Sequence, residues 1–304
     1  MRISTNTIYQ SGISKISSLQ ADQTKLQQQI STGKRMTLPS DDPIASARAL
    51  EIAHTQGVNA SFASSRQTAQ LKLNTLESSL ASITSLLVSA QSTLVGAGNG
   101  SLSDLQRGFI ATELNGSLEE LINLANTQDA SGDYIYAGFK TDTKPFIANA
   151  SGASYAGDSN QQLIQVDAQR LMAANVSGDN VFQAGGNDVF ATLSNLVTLL
   201  NTPITNAATQ AAFTSGLATA ISNLQGSVDN VLNVRAAIGS KLNELDALDT
   251  AGADRALQYS KSLSELEDLD YASALSDLAK QQTIMEAAQK SFVETTKLSL
   301  FQFI

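Results

Sequence analysis

Apolar residues recur at alternating spacings of three and four along most of this chain, and the pattern lapses only in the middle. Phe62, Ala69, Leu73, Leu76, Leu80, Ile83, Leu87, Ala90 and Leu94 keep that spacing, with one gap over Arg66. This seam predicts a very long helix from Pro43 to about Val95. A second long helix is predicted beyond Pro203. Leu217, Ile221, Leu224, Val228, Val231, Ile238, Leu242 and Leu245 form its seam, which continues through Ala256, Tyr259, Leu263 and Leu266. Arg235, Asp249 and Gly252 interrupt it, and Gly252 marks an expected kink or break. Between the long helices, Gly96–Ser103 is a turn. Asp104 to about Gln128 is a helix returning antiparallel, with Ile110, Leu114, Leu121 and Leu124 inward.

The two ends carry thinner seams. In residues 1–32, Ile16, Leu19, Leu26 and Ile30 share one heptad face, with Gln23 as a polar interruption and Ile8 and Ile13 close by. In residues 269–304, Tyr271, Leu278, Met285 and Phe292 fall every seven residues, and Ala274, Ala288 and Thr295 fill the intermediate turns. Leu275 lies beside this line, and the sequence ends on Leu300, Phe301, Phe303 and Ile304. Seams this narrow do not bury themselves in a lone helix. The terminal helices are therefore expected to pair with each other and to be frayed until they find a partner.

From Ser131 to Gly186 the helical period is lost. Tyr134–Tyr136, Ser154–Ala156, Leu163–Val166 and Val181–Phe182 are read as strands separated by GDSN, SGDN and AGGN turns, with a short helix at 188–200. The fold class is mainly α: a long antiparallel helical rod with paired N- and C-terminal helices, plus a small, separate β-rich insert. The expected domains are 1–42 with 267–304, then 43–130 with 204–266, and the insert at 131–203.

Charge and composition narrow the function. The 304 residues include no Cys, no Trp and one His, and the net charge is −9. A surplus of acid argues against non-specific nucleic-acid binding. Residues 1–40 carry Arg2, Lys15, Lys25, Lys34 and Arg35 against Asp22, while 261–304 carry more acids than lysines. Opposite signs favour pairing of the ends, as steering and register rather than stability, since exposed pairs contribute roughly 0–1 kcal/mol. No run approaches the ~18 apolar residues of a membrane span, so no membrane insertion is expected. The start lacks a signal-peptide apolar region.

Candidate chemistry is sparse. Asp41 and Asp42 precede Pro43 and are read as turn and helix caps rather than a carboxylate pair. His54 is read as a surface residue, because no second His and no Cys accompany it. The glycines of GAGNGSLS follow a helix rather than a strand and lack phosphate-loop spacing. No catalytic, metal or cofactor site is expected.

Three stretches carry a family resemblance. QQQISTGKRMTLPSDDPIASARAL (27–50) resembles the N-terminal motif of bacterial flagellin-related proteins. SGDYIYAGFKTDTKPF (131–146) and the final 269–304 segment resemble the hook–filament junction proteins of that superfamily, the hook-associated protein 3 (FlgL) family. The resemblance implies a flagellin-like fold and a structural adaptor with no enzymatic role. It implies a ring of self-associated copies between a hook-side junction protein (FlgK type) and flagellin. It also implies type III export without a cleaved signal, after an export chaperone (FlgN type) has held the C-terminal helix. The assembly and chaperone seam would be Ile16, Leu19, Leu26 and Ile30 with Tyr271, Leu275, Leu278, Met285, Phe292, Leu300, Phe301 and Phe303. Flagellin itself is the nearest alternative, and a type III secreted translocator or tip-like coiled-coil protein is a more distant one.

Overall fold

A computed structural model describes residues 5–100 and 102–301. Among the described residues, seven α-helices and four strands follow in the order α1 (Thr5–Thr32), α2 (Pro43–Ala97), α3 (Asp104–Ala125), β1 (Phe146–Asn149), β2 (Gly152–Tyr155), β3 (Leu163–Asp167), β4 (Arg170–Ala173), α4 (Gly178–Phe182), α5 (Val189–Asn201), α6 (Ala207–Glu267) and α7 (Tyr271–Phe301), with one 3-10 turn at Ala184–Gly186. By contacts the chain divides into two compact units, Ala60–Gly252 and Met1–Asn59 with Ala253–Ile304.

In the Ala60–Gly252 unit, α2 and α6 run antiparallel. Gln70 donates to Asp246 (3.2 Å), Arg235 to Glu77 (2.6 and 2.9 Å) and Gln91 to Gln225 (2.6 Å). Their seams are buried from Ala69 to Leu94 and from Leu217 to Leu245, except that Ile221 and Leu242 are half-buried. The abundant Ser and Thr cost these helices little, because Thr75 and Thr84 return their hydroxyls to the carbonyls of Leu71 and Leu80. α3 begins at a capping box between Ser103 and Gln106 and packs along α5. Asp188 caps α5 by accepting from the amides of Phe190 and Ala191.

The middle of the chain is the small β-containing region that the sequence leads one to expect. It holds two antiparallel hairpins, β1–β2 and β3–β4, and these share one continuous apolar cluster with the helices rather than enclosing their own core. Phe146 touches the rings of Tyr155, Phe182 and Phe190 at 4.8–5.1 Å, and Tyr136 meets Phe182 edge-on. Asn126, just past α3, exchanges two hydrogen bonds of 2.9 Å with the backbone of Phe146 and so stands in for a neighbouring strand. At Gly152 (φ +111°) a side chain would strike the Phe190 carbonyl, so the β1–β2 turn lies directly on α5.

Several local expectations change. Val181 and Phe182 are helical, Tyr134 makes only an isolated antiparallel bridge with Gln128 while Ile135 and Tyr136 lie in a turn, and β1 and β4 occupy sequences with no strong alternation. α6 passes Gly252 without a break. One 18-residue window of α2 is apolar enough to cross a membrane by length and composition, contrary to the sequence reading. Its buried leucines instead belong to the cluster shared with α3 and α6.

Candidate assembly seam of the terminal helices

In the other unit, α1 stops at Gly33, whose φ of +71° is the left-handed conformation of a helix C-cap. Its amide donates to Gln29 O at 2.9 Å. The chain then pairs for a moment with the junction between α6 and α7. Arg35 N donates to Glu267 O (2.7 Å), Leu269 N donates to Gly33 O (2.9 Å), and Lys34 and Asp268 form an antiparallel bridge. Side chains reinforce it: Lys34 reaches Glu267 at 2.6 Å, and Arg35 reaches Leu266 O at 3.1 Å. This is where the opposite charges of the two ends meet.

The acids before α2 act as caps. Asp42 accepts from Ala45 N at 3.0 Å, the N-cap bond that Asp-Pro leads one to expect. Asp41 accepts from the Thr37 and Leu38 amides (3.0 and 3.1 Å) and from Lys25 Nζ (2.7 Å). The Lys25 ammonium first, and then these amides, hold its carboxyl well below the usual carboxylate range. Asp270 caps α7 through the amides of Ala272 and Ser273. His54 is exposed on α2.

From this clamp α1 and α7 run side by side and antiparallel. At one end, the Tyr271 hydroxyl sits against Gly33, where an added Cβ would approach it to 2.8 Å. At the other, the Phe292 ring fills the space a Cβ on Gly12 would need and lies 5.1 Å from the Tyr9 ring. Of the residues read as a seam, Ile16, Leu19, Leu26, Ile30, Leu278 and Phe292 are half-buried, and Met285 is buried, as is Ala274. Tyr271 and Leu275 are 50% and 54% exposed, and of Tyr271 it is the hydroxyl end that meets the end of α1 at Gly33. The side chains of Leu300 and Phe301, together with Phe303, lie outside the described residues, as does the Ile8 side chain.

Ile13, read as lying close to the α1 seam, is exposed, and the sequence reading missed further exposed apolar residues on this pair: Tyr9 on α1, and Ile284 and Val293 on α7. Ile284 and Val293 fall one step to either side of the α7 heptad trace, whereas Tyr9 extends the Ile16–Ile30 line by one heptad. A groove beside Phe292, lined by Gly12, Lys15, Ile16, Ala288 and Thr295, also remains open. The helix pair therefore half-buries one line of side chains and leaves apolar flanks, an arrangement suited to further helical neighbours.

Residues 3–141 match the bacterial flagellin N-terminal helical region. The flagellar hook-associated protein 3 of Escherichia coli (strain K12) is 38% identical over 99% of both chains. Among solved structures, a putative flagellar hook-associated protein from Vibrio parahaemolyticus superposes with a TM-score of 0.69 at 25% identity, over 75% of this chain and all of that one. The flagellar junction protein FlgL of Legionella pneumophila shares the fold, with a TM-score of 0.63 at 20% identity, over 73% of this chain and all of that one. With that degree of identity along its whole length, the chain belongs to the flagellar hook-associated protein 3 family.

Proposed function

We propose that this protein is a structural, non-enzymatic junction piece of the bacterial flagellum, placed between a hook-side junction protein of FlgK type and the flagellin filament. The observation that carries the reading is the full-length identity to a hook-associated protein 3, joined to a terminal helix pair with apolar flanks left uncovered. Copies of the chain pack through these flanks into a ring. Ile16, Leu19, Leu26 and Ile30 with Leu278, Met285 and Phe292 hold each pair together, and Tyr271, Leu275, Leu300, Phe301 and Phe303 meet neighbours. Ordering helices costs about 1–2 kcal/mol per residue, so assembly proceeds only where a neighbouring tube supplies apolar surface. Before export the α7 seam is covered by a chaperone of FlgN type, and the chain leaves through the flagellar type III route without a cleaved signal. Within this reading residues 1–42 with 267–304 form the inner tube part, 43–130 with 204–266 the helical part and 131–203 the outer part.

The test is complementation of a strain lacking its own junction protein. The full chain restores filaments attached to hooks, and a chain ending at residue 269 does not. Attached filaments with the shortened chain would refute the terminal-helix mechanism. Growth of the purified full chain into long filaments on seeds would refute the junction role in favour of a filament subunit.

A further inference from the structure

The gaps in the two long seams are one site. On α2, Arg66 occupies the position between Phe62 and Ala69 where the three–four spacing calls for an apolar residue. On α6, Asp249 and Gly252 stand where the run Leu242, Leu245 calls for two more. The structure places them together. Arg66 is 1% exposed and its Nε pairs with the Asp249 carboxylate. Its Nη2 lies where a Cβ on Gly252 would be, at 2.5 Å. Gly252 thus serves as a slot for the guanidinium within an unbroken α6.

A third contact comes from the β3–β4 hairpin. The ladder pairs Gln165 with Leu171 and Asp167 with Arg170, so Val166 is the residue passed over at the bulge. Its carbonyl accepts from Arg66 Nη1 at 3.1 Å. The same hairpin is tied to α6 by the two-pronged Arg170–Glu244 pair (2.6 and 2.8 Å) and by Lys241 Nζ to Ala173 O (3.1 Å). The hairpin therefore reads positions on both long helices at once.

We propose that Arg66, its Gly252 slot and the Val166 bulge form the device that sets the register in which α2 and α6 pair when the chain folds. The apolar seams alone do not set it, because both repeat every seven residues, and a shift of one heptad still lays apolar on apolar along most of their length. Arg66 does not repeat. Shifted one way, it meets Leu242 and Leu245, with no carboxylate and no room. Shifted the other way, it meets Ala256 and Tyr259, again without a carboxylate. A buried guanidinium left unpaired is strongly unfavourable, whereas in the native register it is matched on three sides. A polar residue at a core position contributes to specificity here rather than to stability.

The test uses the full chain, which has no native Cys, with nitroxide labels on Ser85→Cys and Asn243→Cys, both exposed. Samples are refolded from denaturant and the label separation is measured by pulsed electron resonance. With Arg66 present a single distance is expected. Arg66→Met, and separately Gly252→Ala, are expected to add a second distance displaced by about 10 Å, seven residues of helix rise. The helical signal and unfolding midpoint of the Arg66→Met protein stay unchanged or rise. One distance in both variants would overturn the proposal. So would a lowered midpoint with one distance, or loss of helical signal in both, since each makes the site a source of stability and not of register.

Discussion

The unit of residues 60–252 and the unit formed by the two chain ends both pair long helices, but with different materials. The first buries a continuous cluster of Leu, Ile, Val and aromatic side chains from Ala69 to Leu245. In the second, the fully buried apolar residues among those described are Ala45, Ala49, Ala274 and Met285. At about 25 cal/mol per Å² of apolar surface, three alanines and a methionine supply little. The terminal pair is instead aligned by the clamp of residues 33–35 on 267–269, whose charged partners are largely exposed and so contribute weakly. Geometry is specified in both units, but stability is concentrated in one. A terminal pair of this kind keeps its alignment ready while leaving its stabilisation to whatever covers its flanks.

The contrast can be broken most forcefully in the buried unit. Leu80→Ala or Leu224→Ala, both fully buried, is expected to cost about 2–5 kcal/mol in urea unfolding followed by circular dichroism. A loss below about 1 kcal/mol would mean that the seam carries little of the stability. Amide exchange on the purified chain should separate the regions next. Amides at 69–94 and 217–245 are expected to open only with global unfolding, and those of α1 and α7 through far cheaper local opening. Equal protection would erase the distinction. Met285→Asp and Phe292→Asp are expected to abolish filament attachment while moving the main unfolding transition by no more than about 0.5 kcal/mol. A large drop in that transition would put these residues in the main core.

The smallest effect lies in the turn before α2. The Asp41 carboxyl is depressed below its usual 3.8, so the order it gives to Thr37 and Leu38 is present above that value. That order is lost only as pH falls through the lower folded-state value. The amide shifts of Thr37 and Leu38 should therefore titrate below the ordinary aspartate range. A midpoint at 3.8 would show that Lys25 and the amides do not hold the carboxylate.

Legibility in the sequence followed the physics of each region. The long helices were readable because a period of 3.5–3.6 repeated many times over is hard to mistake, and because Asp42 and Asp188 announce helix starts by their capping chemistry. The middle was readable as non-helical but not strand by strand. Each strand is four or five residues long, and what places Phe146 is an asparagine side chain twenty residues earlier. Val181 and Phe182 look like a strand locally and are helical because their rings and branches fill the aromatic cluster. Gly252 was misread for a related reason: a helix glycine signals a break unless one knows that a guanidinium from another helix needs the space. For the terminal seam, the heptad trace found the line of contact but not its width. Tyr271 and Leu275 stand half exposed, and Ile284 and Val293 escaped notice.

The bridge between Lys34 and Asp268 has a topological consequence. Seen from α1 and α7, everything between these two residues is a single closed loop whose ends meet at one bridge. Lengthening such a loop is cheap, about 0.6 kcal/mol per doubling for a flexible chain. The helix pair is thereby insulated from the size and sequence of what it carries. A lineage could exchange residues 60–252, provided each replacement returned its ends to 43–59 and 253–267, which belong to the same compact unit as the terminal helices.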